Sequence, residues 1–161
     1  MSLNPGSSAP DFTLHSLTPT ETDISLSSYK DKKNVVLLFF PQAFTGVCKD
    51  ELCTVSKPEE FRTFKDKDTE VLAISVDGTF PQKAFAEQNK ITVPLLSDFN
   101  KEVVKKYDVL RNQFVHGMNG VANRAVYVID KNGVIKYVEV TENPGVQINF
   151  NTLKDAVSKL Q

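Results

Sequence analysis

The architecture of this chain follows from one segment, Val35-Val36-Leu37-Leu38-Phe39-Phe40-Pro41-Gln42-Ala43-Phe44-Thr45-Gly46-Val47-Cys48-Lys49-Asp50-Glu51-Leu52-Cys53. Its first six residues are all apolar, which is typical of a strand buried on both faces of a sheet. Pro41 then marks a turn, and Thr45 and Cys48 stand three residues apart where a helix would begin. This order places a thiol at the N-terminus of a helix, just beyond a buried strand. Because unpaired N–H groups and the helix dipole favour an anion there, the segment predicts thiolate redox chemistry.

Composition excludes several classes of function. The 161 residues fit one domain with a sizeable core, and the formal net charge is −1 without a Lys/Arg cluster, which argues against nucleic-acid binding. No apolar run approaches the roughly 20 residues of a membrane span, and Met1–Pro10 lacks the features of a secretion signal. Two cysteines do not make a secreted disulfide scaffold, whereas in a reducing cytosol a paired thiol is more often catalytic. We therefore expect a single cytoplasmic domain over residues 1–161, with residues 1–5 as a flexible arm.

The pattern of apolar residues predicts alternating strands and helices. Strands are expected at Val35–Phe40, Val71–Val76, Ala125–Ile129 and Val134–Val140, with a weaker candidate at Asp11–Leu14. Helices are expected at Gly46–Val55, Glu59–Lys67, Pro81–Asn89, Asn100–Tyr107 and Phe150–Leu160. Their apolar side chains should pack on the sheet, namely Phe61, Phe64, Phe85, Tyr107 and Leu153.

Two local motifs refine this picture. Asp130-Lys131-Asn132-Gly133 predicts a hairpin between the last two strands, because Asn-Gly suits turn positions with positive φ. Ser56-Lys57-Pro58-Glu59 is typical of a capping box that starts a second helix after Cys53. The whole pattern favours an α/β fold, a three-layer sandwich around a central mixed sheet.

The motif Pro41-x-x-x-Thr45-x-x-Cys48 resembles the active-site signature of the peroxiredoxins, which are thiol peroxidases with a thioredoxin-like fold. Four more landmarks follow the order of that family: Ala9-Pro10-Asp11-Phe12-Thr13-Leu14, Ser75-Val76-Asp77, Pro94-Leu95-Leu96-Ser97-Asp98 and Arg124-Ala125-Val126-Tyr127-Val128-Ile129-Asp130. Among the subgroups, the chain most resembles the E-type of alkyl hydroperoxide reductase, through Ala43–Cys48 and Gly120–Arg124. The resemblance implies reduction of hydrogen peroxide and alkyl hydroperoxides without metal, flavin or haem.

The same resemblance implies a role for each site residue. Cys48 is the peroxidatic thiol that becomes a sulfenic acid, and the Thr45 hydroxyl hydrogen-bonds the sulfur and the peroxide. Arg124 supplies a permanent positive charge that stabilises the thiolate and the peroxide oxygens. Pro41 shields the pocket from water, and Glu51 orients an arginine from the pocket side.

Each assignment has a structural alternative. Cys48 could be an inert buried thiol, and Arg124 could be a surface charge at the start of a strand. Glu51 could be an acid that complements the helix dipole, and Thr45 could be an N-cap. His15 and His116 are interpreted as loop or surface residues, and with the two cysteines their spacing fits no common zinc site.

Cys53 departs from the E-type pattern, in which one cysteine is catalytic. The Cys-x-x-x-x-Cys spacing instead resembles the bacterioferritin-comigratory-type peroxiredoxins, where the second cysteine resolves the sulfenic acid. Five residues along an ideal helix separate two Cα atoms by about 8–9 Å, whereas a disulfide tolerates at most about 7 Å. A resolving Cys53 therefore requires that the helix unwind in each cycle. The alternative is that Cys53 is a small core residue.

The resemblance to peroxiredoxins also implies a thioredoxin- or glutaredoxin-type reductant, and a homodimer formed through an edge near the active site to which Phe44, Phe80 and Phe99 would contribute. Three other interpretations stay open on the sequence alone. The enzyme could be a one-Cys peroxiredoxin resolved by an external thiol. It could be a thioredoxin-like disulfide reductase, although Cys-x-x-x-x-Cys is two residues longer than that class requires. It could also be a redox sensor or holdase.

Overall fold

The computed structural model describes residues 3–160, apart from the side chains of Pro58, Glu60 and Phe61. The strands are β1 Thr13–Thr18, β2 Thr22–Ser25, β3 Asn34–Phe39, β4 Thr69–Ser75, β5 Leu95–Ser97, β6 Leu110–Arg111, β7 Val121–Ala122, β8 Ala125–Ile129 and β9 Ile135–Val140. The α-helices are α1 Gly46–Val55, α2 Pro58–Asp66, α3 Thr79–Asn89, α4 Glu102–Lys106 and α5 Phe150–Ser158. Short 3₁₀ helices cover Leu26–Tyr29 and Val115–Gly117.

Seven of these strands form one mixed sheet in the order β2-β1-β5-β4-β3-β8-β9. The central strand β3 runs parallel to β4 and antiparallel to β8. All six residues of β3 and all five residues of β8 are buried, which agrees with the near-continuous apolar runs that predicted strands covered on both faces. β6 and β7 form a separate two-stranded sheet.

Two apolar clusters cover the two faces of the sheet and define three layers. One cluster joins alternate residues of β3, such as Val36 and Leu38, to apolar side chains of α1, α3 and α5 and to Phe64 of α2. The other joins the intervening residues of β3 to α4, to Leu26 and to Phe12. Phe64, Phe85, Tyr107 and Leu153 are all buried as predicted; the prediction for Phe61 lies outside the described side chains. The predicted three-layer α/β sandwich with a mixed sheet is therefore confirmed.

Several local predictions need correction. The strand predicted at Asp11–Leu14 is β1, which lies at Thr13–Thr18 and pairs with β2, a strand that lacks a clear apolar pattern. The predicted capping box does not form, because the Ser56 hydroxyl accepts the amide of Thr92 while Lys57 is the N-cap of α2. The hairpin turn between β8 and β9 does form, with Gly133 at φ 79° and the Asp130 carboxylate accepting the amides of Asn132 and Val134.

None of the helices in the described part of the chain combines the length and apolar character that crossing a membrane requires. At the amino end, Leu3 packs against the second apolar cluster. The Gly6 amide donates to the Ile135 carbonyl and the Ile135 amide donates to the Ser7 carbonyl, so β9 holds this segment.

Candidate active site

The candidate site begins where β3 ends. The Phe40 amide continues the parallel ladder by donating to the Ile74 carbonyl at 3.0 Å, and the buried Pro41 then turns the chain out of the sheet. Phe44 adopts a left-handed φ of 67°, which is uncommon for a residue with a side chain. Thr45 is the N-cap of α1 by its backbone conformation. The helix therefore starts directly beyond the carboxyl end of the central strand.

One face of α1 carries the reactive thiol into the core. Cys48, Glu51, Leu52 and Val55 are the buried residues of this helix, and they follow the i, i+3, i+4, i+7 spacing of a single helical face. The Lys49 amide donates to the Thr45 carbonyl at 2.9 Å and closes the first turn. The amides of residues 46–48 therefore precede the hydrogen-bonded turns, as the prediction of a thiol at a helix N-terminus requires.

Arg124 joins the thiol and the carboxylate of this face. It lies between β7 and β8, 1% exposed, so the alternative of a surface charge is wrong. Its Nη2 donates to Cys48 Sγ at 3.1 Å, and its Nη1 donates to Glu51 Oε2 at 2.7 Å. Glu51 is 0% exposed and lies beyond the first turn of α1. Its interpretation as an acid that merely complements the helix dipole is therefore wrong, and the pairing with an arginine is present.

The electrostatics of this cluster depend on the Arg124 cation and on the two acidic groups that it contacts, Cys48 and Glu51. Burial raises the pKa of Glu51 to about 7, with a further contribution from the nearby Glu139, although the Arg124 charge and hydrogen bond act in the opposite direction. For Arg124, burial lowers the pKa, but the adjacent Cys48 and Glu51 raise it by more, and the net direction is upward. Arg124 thus stays a cation, whereas Glu51 holds a proton easily near neutral pH.

A third partner of Arg124 is a backbone carbonyl that the sequence did not indicate. The Pro144 oxygen accepts from Arg124 Nη2 at 2.9 Å and from Nε at 3.2 Å. Pro144 lies in the connection between β9 and α5. This connection is held near its end by the Asn149 amide, which donates to both carboxylate oxygens of Glu139 on β9. No motif marks this contact, since it joins residues 20 positions apart through a main-chain atom.

The Thr45 hydroxyl is engaged within the turn. It donates to the Gln42 carbonyl at 3.0 Å and makes no capping bond to α1. The position of Thr45 as N-cap residue agrees with the alternative from the sequence, while its side chain ties the turn together. A bond from this hydroxyl to the sulfur or to a peroxide stays a prediction.

Cys53 lies away from the group of Cys48, Glu51 and Arg124, the Cys48 cluster. Both cysteines are free thiols, and the half-buried Cys53 directs its Sγ to the Asn89 carbonyl at 3.7 Å, at the end of α3. Since α1 is continuous from Gly46 to Val55, ideal helix geometry keeps the two Cα atoms about 8–9 Å apart. In the folded helix the Cys48 sulfur therefore contacts Arg124 and the Cys53 sulfur contacts Asn89, and the two cannot form a disulfide.

The two histidines lie outside this cluster. His15 is on β1, exposed, and its Nδ1 hydrogen-bonds Asp23 at 2.6 Å, an interaction that raises the pKa of the imidazole. His116 is exposed in the second 3₁₀ helix. Among the side chains that the structure describes, no three of His, Cys, Asp or Glu are grouped as metal ligands would be.

Comparison with known proteins gives a consistent result. Residues 5–138 match the AhpC/TSA family. The chain is 38% identical over 160 residues to alkyl hydroperoxide reductase E of Mycobacterium bovis, with 98% of each chain covered. It is 39% identical over 148 residues to the chloroplastic 2-cysteine peroxiredoxin of Chattonella marina var. antiqua, covering 87% of this chain and 72% of that protein.

Solved structures of peroxiredoxins have the same fold as this chain. The reduced 2-Cys peroxiredoxin of Plasmodium vivax superposes with a TM-score of 0.83 at 26% identity, over 96% of this chain and 80% of that one. AhpC of Mycobacterium tuberculosis gives 0.82 at 25% identity, over 98% and 93% of the two chains. The sheet and its flanking helices thus define a thioredoxin-like α/β protein with a buried thiol beyond the end of the central strand. The chain belongs to the AhpC/TSA family, that of the peroxiredoxins, and it is a thiol-dependent peroxidase.

Proposed function

We propose that Cys48 is the peroxidatic residue of a single-domain enzyme that reduces hydrogen peroxide and alkyl hydroperoxides. The thiolate attacks one peroxide oxygen, an S–O bond forms as the O–O bond breaks, and the released oxygen takes a proton and leaves as water or alcohol. Cys48 is then a sulfenic acid. The observation that carries this proposal is the 3.1 Å hydrogen bond from Arg124 Nη2 to Cys48 Sγ within a buried site.

Arg124 would stabilise the charge that moves from sulfur to oxygen during this step. A guanidinium that is already held in place needs little reorganisation as the charge develops. The amides of the first turn of α1 would supply further donors to the peroxide, and Thr45 would add its hydroxyl once that group leaves the Gln42 carbonyl. Pro41 would keep water out. Glu51 would hold the far side of the guanidinium.

We further propose that Cys53 attacks the sulfenic acid, forming a Cys48–Cys53 disulfide and releasing water. A thioredoxin- or glutaredoxin-type dithiol would then reduce this bond and become oxidised itself. The cycle requires that α1 unwind between the two steps, because the bond cannot close across an intact helix. The competing candidate is a one-Cys cycle, favoured by the orientation of Cys53 toward Asn89. A location in the cytoplasm remains a prediction from the sequence.

The decisive experiment adds one equivalent of hydrogen peroxide to the reduced protein and titrates free thiols. Parent protein and a Cys53→Ser variant are compared, and a dimedone adduct identifies sulfenic acid. The two-Cys cycle predicts loss of both thiols in the parent and a trapped sulfenic acid at Cys48 in the variant. Loss of one thiol in both proteins would establish the one-Cys cycle. Loss of none would refute Cys48 as a peroxidatic residue.

A further inference from the structure

A carboxylate outside the Cys48 cluster holds the turn that leads to the reactive thiol. Asp77 lies just after β4, at the same edge of the sheet as the end of β3. Its Oδ2 accepts the backbone amide of Ala43 at 2.8 Å. Ala43 is buried and lies midway between Pro41 and Thr45. This hydrogen bond connects the segment that follows β4 to the turn that follows the neighbouring strand β3.

The carboxylate is itself fixed from two directions. The Ser75 hydroxyl donates to the same Oδ2 at 2.7 Å, and Ser75 Oγ accepts from Gln82 Nε2 at 3.0 Å. Gln82, which is 1% exposed on α3, also donates to the Leu96 carbonyl of β5 at 2.9 Å. The Asp77 carbonyl in turn accepts the Ser97 hydroxyl at 2.7 Å. Asp77 is therefore held by β4, β5 and α3 together.

The turn has a conformational reason to need such an anchor. Phe44, the next residue after Ala43, has a φ of 67°, a region that residues with a side chain rarely occupy. Residues in sparsely populated backbone regions persist only when their surroundings hold them there. Two contacts flank this position: the Phe44 ring lies 5.1 Å from that of Phe85, and the Thr45 hydroxyl closes the turn on Gln42. The Asp77 bond ties the main chain of the turn to the sheet.

We propose that Asp77 is a positioning residue for the peroxide reaction: its carboxylate holds the Ala43 amide and thereby sets Thr45 and the N-terminus of α1 against Arg124. The inference rests on the proposed function of Cys48. Displacement of a reacting group by about 1 Å can reduce a rate by about 100-fold. Loss of the anchor should therefore slow the oxidation of Cys48 by about 10- to 100-fold.

Three variants separate positioning from general stability. Asp77→Ala removes the acceptor, whereas Asp77→Asn keeps an oxygen that can accept both the Ala43 amide and the Ser75 hydroxyl. The matched control is Asp98→Ala. Asp98 is also a buried acid after a strand, but its carboxylate accepts the amides of Glu102, Val103 and Val104 at the start of α4. Its removal should lower the melting temperature without touching the turn.

The rate constant of Cys48 oxidation by hydrogen peroxide is measured by stopped flow, with each variant in a Cys53→Ser background. We expect Asp77→Ala to lose about 10- to 100-fold, and Asp77→Asn and Asp98→Ala to stay within about threefold of the parent. An Asp77→Ala rate within threefold of the parent would overturn the inference. So would an equal loss in Asp77→Asn, because the carboxylate charge would then matter and the anchor would not.

Hydrogen exchange of the peptide that covers residues 42–48 gives a readout independent of activity. Asp77→Ala should exchange faster there than the parent, and Asp77→Asn and Asp98→Ala should not. Equal exchange in all four proteins would overturn the anchoring. A parent that does not react with peroxide would refute the proposed function by itself, while the exchange result would still decide whether Asp77 holds the turn.

Discussion

Arg124 serves three partners at once, and its planar fork makes this possible. One guanidinium contacts the Cys48 sulfur, the Glu51 carboxylate and the Pro144 carbonyl. Lysine carries the same charge at a single point and cannot reproduce that geometry. We expect Arg124→Lys to lower the rate constant of Cys48 oxidation by about 100-fold, the size of effect seen when one preorganised donor is removed.

Stopped-flow oxidation by hydrogen peroxide measures this effect. Arg62→Lys is the matched control, since Arg62 is exposed on α2 and its replacement should change the rate by less than twofold. A rate for Arg124→Lys close to that of the parent would mean that charge alone, without the fork, supports the reaction.

Glu51 makes folding stability depend on pH in a direction that can be measured. Burial raises its pKa from 4.5 to about 7, so between these values the unfolded chain releases the proton and the folded chain keeps it. The contribution of Glu51 is therefore full below about pH 4.5 and is lost as pH rises toward about 7. The loss amounts to at most about 3–4 kcal/mol, because each tenfold change in the proton-binding constant between 4.5 and about 7 is about 1.4 kcal/mol.

Glu51→Gln tests this coupling, because the amide keeps the shape and cannot ionise. Urea unfolding of parent and variant is compared at pH values between 4.5 and 8. The free energy of unfolding of the parent, relative to that of the variant, should fall across the lower part of this range and level off above about pH 7. Parallel curves would show that Glu51 titrates alike in the folded and unfolded chains.

In the proposed cycle, the helix α1 would control the second step. Its continuous helix separates Cys48 from Cys53, so any substitution that stabilises the helix should delay disulfide formation. Gly46 is the first residue of α1, and a methyl group added to its Cα would meet no atom within 4 Å apart from its chain neighbours and the backbone of its own helix. Gly46→Ala should stabilise the folded helix by about 0.4–1 kcal/mol, because alanine lowers the conformational entropy of the unfolded segment. Disulfide formation should then be slower by about two- to fivefold.

Two rates must be separated to test this. Sulfenic acid formation, measured in a Cys53→Ser background, should be the same with glycine or alanine at position 46. Disulfide formation, measured with both cysteines present, should be slower with alanine. Equal slowing of both steps would place the effect of Gly46 in the peroxide pocket, and no slowing would contradict helix unwinding as the limiting event.

The elements also show what the sequence can and cannot predict. The predicted bounds of α1 and of β8 agree with the structure, because buried runs and helix starts are local signals. The strands β2 and β5 escape prediction, being only four and three residues long and set in place by their neighbours in the sheet. The contact of Pro144 with Arg124 escapes it for a related reason: it uses a main-chain oxygen, which any residue carries. Motifs predict which side chains meet at the site, and tertiary structure alone places the backbone that holds them.

Three exposed aromatic residues lie near the N-terminal half of α3, beside the reactive turn. Phe44, Phe80 and Phe99 are 53%, 79% and 66% exposed. The Phe44 ring contacts Phe85 of α3, Phe80 lies in the first turn of that helix, and Phe99 approaches Gly78 at its N-cap. Large apolar side chains grouped on a surface in this way are typical of a protein interface.

We expect this surface, defined by Phe44, Phe80 and Phe99, to join two copies of the chain. Light scattering should give the mass of two chains for the parent at micromolar concentration. Phe80→Asp would place a charge within the expected contact, where an unpaired buried charge is costly, and should give the mass of one chain.

The matched control for this contact is Val140→Asp, because Val140 is 44% exposed at the end of β9 and lies outside the aromatic surface. If the parent itself has the mass of one chain, the dimer does not form. If both variants remain dimers, the contact lies elsewhere. Phe44 also belongs to the turn that Asp77 holds, so a dimer through this surface would couple association to the geometry of Cys48. Phe80→Asp should then also accelerate hydrogen exchange in residues 42–48, whereas Val140→Asp should leave it unchanged.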